Sequence, residues 1–318
     1  MYSVTIIGGG AISSGYDSPS GENILTHIHG ALCHPDINLD AVVEVSEKRC
    51  QYIIEKWGNG FDVFSNLEDY IIKYKSDIIV VATPTHTHLK IIEDLLFLYT
   101  PKLIICEKPI VSSLIEYERL NLLLKKTNTK IITHFPRRFD PSMNILKNKI
   151  RSVDEIYHFY GTFTKGLVHN GSHMIDLINM LVGDINNINL ITKKIINNEI
   201  FGKFLVQTDK TSGVISNINN DKLSLFEFTI YTNRAKYEII GHEQNIKISC
   251  IENSKKFDTY VSYSNEETLS KTLDKYGYNL FDYTIKLIDN DVFYQELKNV
   301  QDNVNRFIFL TQNKFLEN

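Results

Sequence analysis

The residues in this sequence best suited to chemistry are a lysine and two histidines far apart in the chain. Lys108 follows an apolar, strand-like run, within Glu107-Lys108-Pro109. A lysine ammonium held between a cationic group and low-dielectric walls has a lowered pKa and can exchange a proton with a substrate hydroxyl. Lys108 therefore indicates acid–base chemistry on an alcohol, although a solvated lysine after a strand is the commoner alternative.

His169 and His173 are four residues apart at the start of a helix-like stretch, so they share one helix face if the helix begins early enough. An imidazole there can relay the proton that a carbinol loses as hydride leaves. Two such histidines can also bind a metal, but the glutamate of H-E-x-x-H is absent and no third ligand is evident. We therefore predict no metal. The alternative for His173 is a structural histidine.

A glycine-rich turn follows the first strand-like run. Gly8 and Gly10 occupy two of the three glycine positions of G-x-G-x-x-G, and Ser13 occupies the third. Gly8 permits a tight turn, and Gly10 lets backbone N–H groups approach a pyrophosphate. Turn-forming residues at 14–23 indicate an insertion, so we predict the next helix only from Glu22 or Asn23 through Leu32. The predicted cofactor contacts here are Gly8, Gly10, Ala11 and Ile12.

Further cofactor contacts are predicted where later strands end. Glu44 lies at the end of the second strand-like run, where a carboxylate accepts the hydrogen bonds of an adenosine ribose diol and repels a 2′-phosphate. This position favours NAD over NADP, and the alternative is an ordinary surface glutamate. Thr83 and Pro84 follow another apolar run, where Pro84 ends the strand and hydroxyl groups can meet the cofactor.

The elements that position these residues alternate between strand-like and helix-like patterns. The pattern predicts a βαβ succession that forms a doubly wound parallel sheet, which binds ligands at the carboxyl ends of its strands. The predicted strands of this first domain, residues 1–135, are at 3–7, 39–45, 78–82, 103–106 and 130–134.

The pattern changes after Phe135-Pro136. A helix-like stretch at 170–182 precedes runs of strand alternation between 226 and 249, which indicate a mostly antiparallel sheet, and helical spacing returns from Val292. We therefore predict an α/β chain: an N-terminal Rossmann doubly wound sheet, then a C-terminal α+β domain at 136–318 with an open, mostly antiparallel sheet.

Composition narrows the class of partner. The chain has 318 residues, 43% of them hydrophobic, and a net charge of -4, which is typical of a globular protein of about two domains. No apolar run approaches the ~18–20 residues of a membrane-spanning helix, and no signal peptide is evident. A pI near 6.2 without a block of basic residues argues against nucleic acid as the binding partner. Four cysteines without C-x-x-C spacing indicate reduced thiols in the cytoplasm. A small molecule is the expected partner.

In their order and spacing, these motifs resemble the Gfo/Idh/MocA family, the glucose–fructose oxidoreductase and inositol dehydrogenase type of NAD(P)-dependent oxidoreductase. The resemblance covers the first domain and continues to about Asp184. The motifs that carry it are Gly8-Gly9-Gly10-Ala11-Ile12, Glu44, Ala82-Thr83-Pro84 with His88, Glu107-Lys108-Pro109, Arg137-Arg138-Phe139-Asp140-Pro141, and Gly171-Ser172-His173 with Asp176.

The resemblance implies hydride transfer between a nicotinamide and a secondary alcohol of a sugar, sugar-nucleotide or cyclitol, with surface-glycan biosynthesis as a family-level expectation. It implies that Lys108 polarises or deprotonates the hydroxyl, that His173 relays the proton, and that His169 orients the substrate or shares the charge. It also implies a homodimer or homotetramer formed through the C-terminal sheet. It adds His88, Glu107 and Lys108 to the cofactor contacts, and substrate contacts are predicted from position at Arg138, Tyr160, Lys165 and Asn170.

Two departures from the family pattern leave alternatives open. His169 replaces the aspartate of D-x-G-x-H, and the phosphate turn is interrupted after Ser13. One alternative is a catalytically silent protein that binds or senses NAD(H) on the same fold. The other is a non-redox Rossmann protein that holds a different nucleotide.

Overall fold

The protein is described by a computed structural model that covers residues 1–152, 155–196, 199–220, 222–241, 245–269 and 272–317. It divides into two compact units. Unit 1 comprises Met1–Phe139 and Asp274–Arg306, and unit 2 comprises Asp140–Leu273 with the chain from Phe307 onward.

Unit 1 is built on a six-stranded, wholly parallel sheet with the strand order β3-β2-β1-β4-β5-β6. Because β1 lies between β2 and β4, the chain reverses direction across the sheet at this point, and such a switch point is where doubly wound sheets bind ligands. The strands are β1 (Tyr2–Ile7), β2 (Ile37–Val43), β3 (Asp62–Phe64), β4 (Ile78–Val81), β5 (Leu103–Glu107) and β6 (Lys130–His134). The helices are α1 (His27–Cys33), α2 (Glu47–Trp57), α3 (Leu67–Lys73), α4 (Thr85–Leu98), α5 (Leu114–Leu124) and α6 (Pro136–Phe139).

Unit 2 contains an eight-stranded sheet in the order β14-β13-β12-β11-β7-β10-β9-β8. Only the β7–β10 pair is parallel among the described pairs, so the sheet is mostly antiparallel. Its elements are α7 (Pro141–Arg151), β7 (Ile156–Thr164), α8 (Gly171–Leu181), β8 (Ile185–Ile196), β9 (Glu199–Thr208), β10 (Ser212–Ile218), β11 (Phe226–Thr232), β12 (Ala235–Ile240), β13 (Asn245–Asn253) and β14 (Val261–Leu269). The predicted fold class is confirmed for both parts of the chain.

The last two helices are α9 (Tyr276–Asp289) and α10 (Asp291–Glu317). Residues Asp274–Arg306 cluster with unit 1, which differs from the continuous second domain predicted at 136–318. The reason is apolar burial, since Leu280 and Phe281 of α9 are fully buried in the same core cluster as strands β1, β2, β4 and β5. On α10, the Gln301 side chain accepts a hydrogen bond from Thr133 N (2.9 Å) and donates one to Thr133 O (2.8 Å) on edge strand β6.

Helix α1 begins later than predicted. We expected a helix from Glu22 or Asn23, but the structure places its first residue at His27, where Thr26 is the N-cap and accepts from His29 N. No helix among the described residues is long and apolar enough to cross a membrane.

Candidate functional site

The turn after β1 is shaped by its first glycine. Gly8 has a φ of 103°, and its N–H donates to Val43 O at 2.8 Å. A Cβ on Gly8 would lie 2.6 Å from Ala82 O, so a side chain would collide with the backbone after β4. The left-handed conformation and this close approach both require glycine, as the sequence predicted.

Glu44 binds this turn from the end of β2. Its Oε2 accepts from Gly9 N at 2.7 Å, and its Oε1 accepts from Ser46 N at 2.8 Å. The residue is 9% exposed. Each carboxylate oxygen has a second lone pair, so Glu44 can still accept hydrogen bonds from a diol.

The next residues form a backbone cradle that suits an anion. Ala11–Gly15 form one π-helical turn, in which Ser14 Oγ donates to Gly9 O at 2.9 Å. Within the described part of the chain, the N–H groups of Gly10, Ala11 and Ile12 have no hydrogen-bond acceptor. A Cβ built on Gly10 would meet nothing closer than Arg49 Nη1 at 3.5 Å. Unused N–H groups beside open space and a guanidinium fit the pyrophosphate of a dinucleotide.

The predicted insertion in this turn is held by Asp17. Its carboxylate accepts from Leu25 N, from Thr26 N (3.0 Å) and Thr26 Oγ1 (2.7 Å), and contacts His29 Nδ1 at 2.9 Å. Burial raises the pKa of Asp17, but these hydrogen bonds outweigh burial and bring the pKa below its ordinary value of 3.8. Asp17 therefore fixes the start of α1 in place of a continuous helix from the glycine turn.

His88 lies on α4, where its ring holds two loops. Its Nε2 is 2.8 Å from Thr83 O, and its Nδ1 is 3.1 Å from Pro109 O. Both nitrogens face backbone carbonyls, and the residue is 1% exposed. The side chain thus positions these two loops, and the cofactor contact expected at His88 stays a prediction. Thr83 and Pro84 precede α4, as expected.

Lys108 follows β5 directly, so it lies at the carboxyl end of the sheet as predicted, and the Lys108–Pro109 peptide bond is cis. Its neighbour Glu107 was predicted to contact the cofactor. That contact stays a prediction, and the structure gives the Glu107 carboxylate two imidazole partners, His27 Nε2 at 2.9 Å and His134 Nδ1 at 2.6 Å.

Sequence reasoning missed this His27–Glu107–His134 cluster because the three residues come from α1, β5 and β6. Burial raises the pKa of Glu107, but the charge of His134 and the hydrogen bonds from His134 and His27 hold it well below its ordinary value. Burial lowers the pKa of His27. The carboxylate is thus ionised and His27 neutral near pH 7. The available signal was positional, since His134 ends a strand at the ligand-binding edge.

In unit 2, a second π-helical turn, Gly166–Asn170, leads directly into α8. His169 and Asn170 end this turn, and His173 lies in the first turn of α8, with Ser172 Oγ donating to His169 O at 2.8 Å. Glu199 supports the turn from β9 by accepting from Leu167 N at 3.0 Å.

The residues predicted to contact the substrate are divided between the two units. Lys165, in the left-handed conformation, immediately precedes the Gly166–Asn170 turn, and Tyr160 is half exposed on β7. Arg138 belongs to unit 1, where it is buried in α6. Unit 1 thus brings together the predicted cofactor residues and Lys108, and unit 2 brings together Lys165, Asn170 and the histidine pair.

Comparison with known proteins gives a family match for the N-terminal part of unit 1. Residues 2–135 match the Gfo/Idh/MocA family model, described as an oxidoreductase family with an NAD-binding Rossmann fold. Inositol 2-dehydrogenase of Rhizobium meliloti is 39% identical over 77 residues, which are 23% of this chain and 22% of that protein. The matched segment thus spans about a fifth of this relative. These matches confirm the resemblance predicted from the sequence over residues 2–135.

Solved structures extend the likeness to both units. Levoglucosan dehydrogenase in complex with NADH has a TM-score of 0.70 at 15% identity and covers 99% of this chain and 96% of its own. A 3-ketoreductase from Actinomadura kijaniata in complex with NADP has a TM-score of 0.67 at 11% identity, covering 96% of this chain and 94% of its own. At such identities the likeness shows a shared fold.

Proposed function

We propose, from the membership of residues 2–135 in the Gfo/Idh/MocA oxidoreductase family, that this chain transfers hydride between a nicotinamide dinucleotide and a secondary alcohol. The observation that carries the proposal is the cradle at Gly10, Ala11 and Ile12, whose N–H groups lack acceptors among the described residues. A bound dinucleotide would accept or supply the hydride at C4 of its nicotinamide. The protein's own residues bind, orient and move the proton.

We infer that NAD is preferred over NADP. The Glu44 carboxylate lies at the end of β2 with lone pairs available for a ribose diol, and its negative charge would repel a 2′-phosphate. Arg49 Nη1 near Gly10 would pair with the pyrophosphate.

The proton of the alcohol is handled by Lys108 and His173. Lys108, at the carboxyl end of β5, would polarise or deprotonate the hydroxyl as hydride leaves its carbon. His173 would relay the proton, and His169 would orient the substrate or share the charge. General acid–base help of this kind contributes roughly 10²–10⁴-fold to the rate.

The substrate class is a sugar, sugar-nucleotide or cyclitol. Support comes from the names of the similar proteins, inositol 2-dehydrogenase and levoglucosan dehydrogenase. We propose substrate contacts at Arg138, Tyr160, Lys165 and Asn170, a role in surface-glycan biosynthesis, and a cytoplasmic homodimer or homotetramer formed through the unit 2 sheet.

The test is NAD⁺ reduction, followed at 340 nm, with a panel of myo-inositol, levoglucosan and sugar nucleotides. Lys108→Met should lower kcat by roughly 10²–10⁴-fold on the active alcohol. The matched control, Lys126→Met, changes an exposed lysine that follows α5 and should keep the wild-type rate. Full turnover in Lys108→Met would refute the proposed role of Lys108.

A second candidate is a protein that binds or senses NAD(H) without turnover, which the His169 replacement favours. Tight NADH binding with no absorbance change across the whole panel would support it. Retention of a different nucleotide through purification, identified by mass spectrometry, would instead support a non-redox Rossmann protein.

A further inference from the structure

The cluster of His27, Glu107 and His134 has the composition of a metal site. Each residue offers one ligand atom, and these atoms all lie within 4.8 Å of one another. Two imidazoles and one carboxylate form a ligand set that zinc takes in proteins, and such three-ligand sites leave the fourth coordination position open. The many oxygen ligands that Ca²⁺ requires are absent from this cluster, so a borderline divalent ion is favoured.

The cluster is built into the interior. His27 is 1% exposed and His134 is 0% exposed, whereas the Glu107 side chain is 14% exposed. The His134 ring stacks on Phe139 at a centroid distance of 6.0 Å and lies 6.2 Å from the Tyr276 ring. An ion would therefore enter past Glu107 and be held between fixed rings.

The nitrogen of each ring that faces away from Glu107, here called the outer nitrogen, can carry the ring proton. His27 Nδ1 and His134 Nε2 are buried and have no hydrogen-bond partner within the described residues. A ring tautomer is normally fixed by the hydrogen bond of its second nitrogen. Each ring now directs its inner nitrogen to Glu107, and metal binding would move the ring proton to the outer nitrogen, which no described residue holds as an acceptor. His88, in contrast, has backbone carbonyls at both nitrogens and could not coordinate without losing one contact.

The two distances from Glu107 to the imidazoles require only a small adjustment. Tetrahedral zinc places its ligand atoms about 3.4 Å apart. Glu107 Oε1 is now 2.9 Å from His27 Nε2 and 2.6 Å from His134 Nδ1. Withdrawal of the carboxylate by about 0.5–0.8 Å would open the space that a cation needs.

We propose that His27 Nε2, His134 Nδ1 and a Glu107 oxygen bind one divalent transition-metal ion, with Zn²⁺ as the best match. The fourth position is open to water or another oxygen ligand. The site lies next to Lys108 in sequence, at the carboxyl ends of β5 and β6. The proposal concerns metal binding alone, so it holds or fails independently of hydride transfer.

The test uses the 318-residue chain without a histidine tag, stripped of metal by a chelator that is then removed. Zn²⁺ binding is measured by elemental mass spectrometry after equilibrium dialysis, and Co²⁺ addition is followed by its visible ligand-field absorption. We expect one ion per chain and the intense absorption of four-coordinate Co²⁺. His27→Gln and His134→Gln should each lower the affinity at least about tenfold. His86→Gln, which removes an exposed imidazole, should leave it unchanged.

Three results would overturn the proposal: less than one ion per wild-type chain, octahedral Co²⁺ spectra, or equal binding by the His27→Gln/His134→Gln double variant. The last result would assign the ion to surface groups. Circular dichroism and thermal unfolding of the same samples show whether each variant is folded. If His27→Gln does not fold, the wild-type stoichiometry and Co²⁺ spectrum still decide the question.

Discussion

Glu44 is the residue whose charge bears most directly on the choice between the two dinucleotides. Its carboxylate accepts hydrogen bonds from Gly9 N and Ser46 N and places a negative charge directly after β2. We expect Glu44→Gln to weaken NADH binding and strengthen NADPH binding, so that the ratio of the two Kd values changes by about tenfold or more. The measurement is fluorescence titration of both reduced cofactors.

The control for this substitution is Glu47→Gln, which changes an exposed glutamate in the first turn of α2. It should leave the NADPH-to-NADH ratio of Kd values unchanged. An unchanged ratio in Glu44→Gln would show that this carboxylate does not select the cofactor.

Residue types next to strand ends could be predicted, whereas contacts between distant elements could not. Gly8 was predicted because a tight turn after a strand restricts the local backbone, and its φ of 103° agrees. The partners of Glu107 were not predicted, because His27 is 80 residues away and reaches it only through the packing of α1. The contacts of His88 were not predicted either, because position alone does not show that its ring nitrogens face carbonyls.

At the scale of elements, Asp17 links the inserted turn to α1. We expect Asp17→Asn to lower the free energy of unfolding by about 1–3 kcal/mol at pH 7, since buried donors lose a charged acceptor. The folded-state pKa of Asp17 is lowered, so its contribution is present above the unfolded value near 3.8 and is lost as the pH falls through the folded value.

The difference in stability between wild type and Asp17→Asn should therefore shrink below about pH 4. Urea unfolding at several pH values measures it, with the exposed Asp258→Asn as control. A difference that stays constant from pH 7 to pH 3 would contradict this account of Asp17.

Helices α1 and α9 approach each other closely at Gly30, and this contact gives a second prediction at the scale of elements. A Cβ on Gly30 would lie 2.3 Å from Gly277 O, a backbone atom that cannot move alone. We expect Gly30→Ala to destabilise the protein by about 1–3 kcal/mol, because overpacking exceeds the ~1 kcal/mol gained in helix propensity. Gly60→Ala, where a Cβ meets nothing within 4 Å, is the matched control for thermal unfolding. Equal Tm values for the two variants would refute the close packing.

The ends of helices also depend on contacts that the sequence does not reveal. The insertion after Ser13 was predicted from its turn-forming residues. The start of α1 was not, because Thr26 becomes its N-cap only through the contacts that Asp17 makes from nine residues earlier.

At the scale of the whole molecule, unit 1 is made from two separate parts of the chain. Helical spacing from Val292 predicted a helix, but spacing does not show which core a helix joins. Residues Asp274–Arg306 complete unit 1 with Leu280, Phe281 and Leu287 in its core. We expect residues 1–139 alone not to fold stably, because this apolar surface would be exposed.

Joining residues 1–139 to 274–306 through a short linker should restore cooperative unfolding. The joint is short because Leu273 N donates to Asp140 Oδ2 at 2.8 Å, so the chain leaves and re-enters unit 1 at nearby points. Cooperative unfolding of residues 1–139 alone, by circular dichroism, would contradict this division of the chain.

The most direct test of a dinucleotide at the glycine turn is NADH binding to Gly10→Val. The fold should tolerate this side chain, since Gly10 has a φ of -68° and a Cβ there meets only Arg49 Nη1 at 3.5 Å. The valine would occupy the space into which the Gly10–Ile12 N–H groups open. We predict an unchanged Tm and NADH affinity at least about 100-fold weaker, a loss of about 2.7 kcal/mol, with Gly60→Val as control. NADH affinity equal to that of the wild type in folded Gly10→Val would contradict the account.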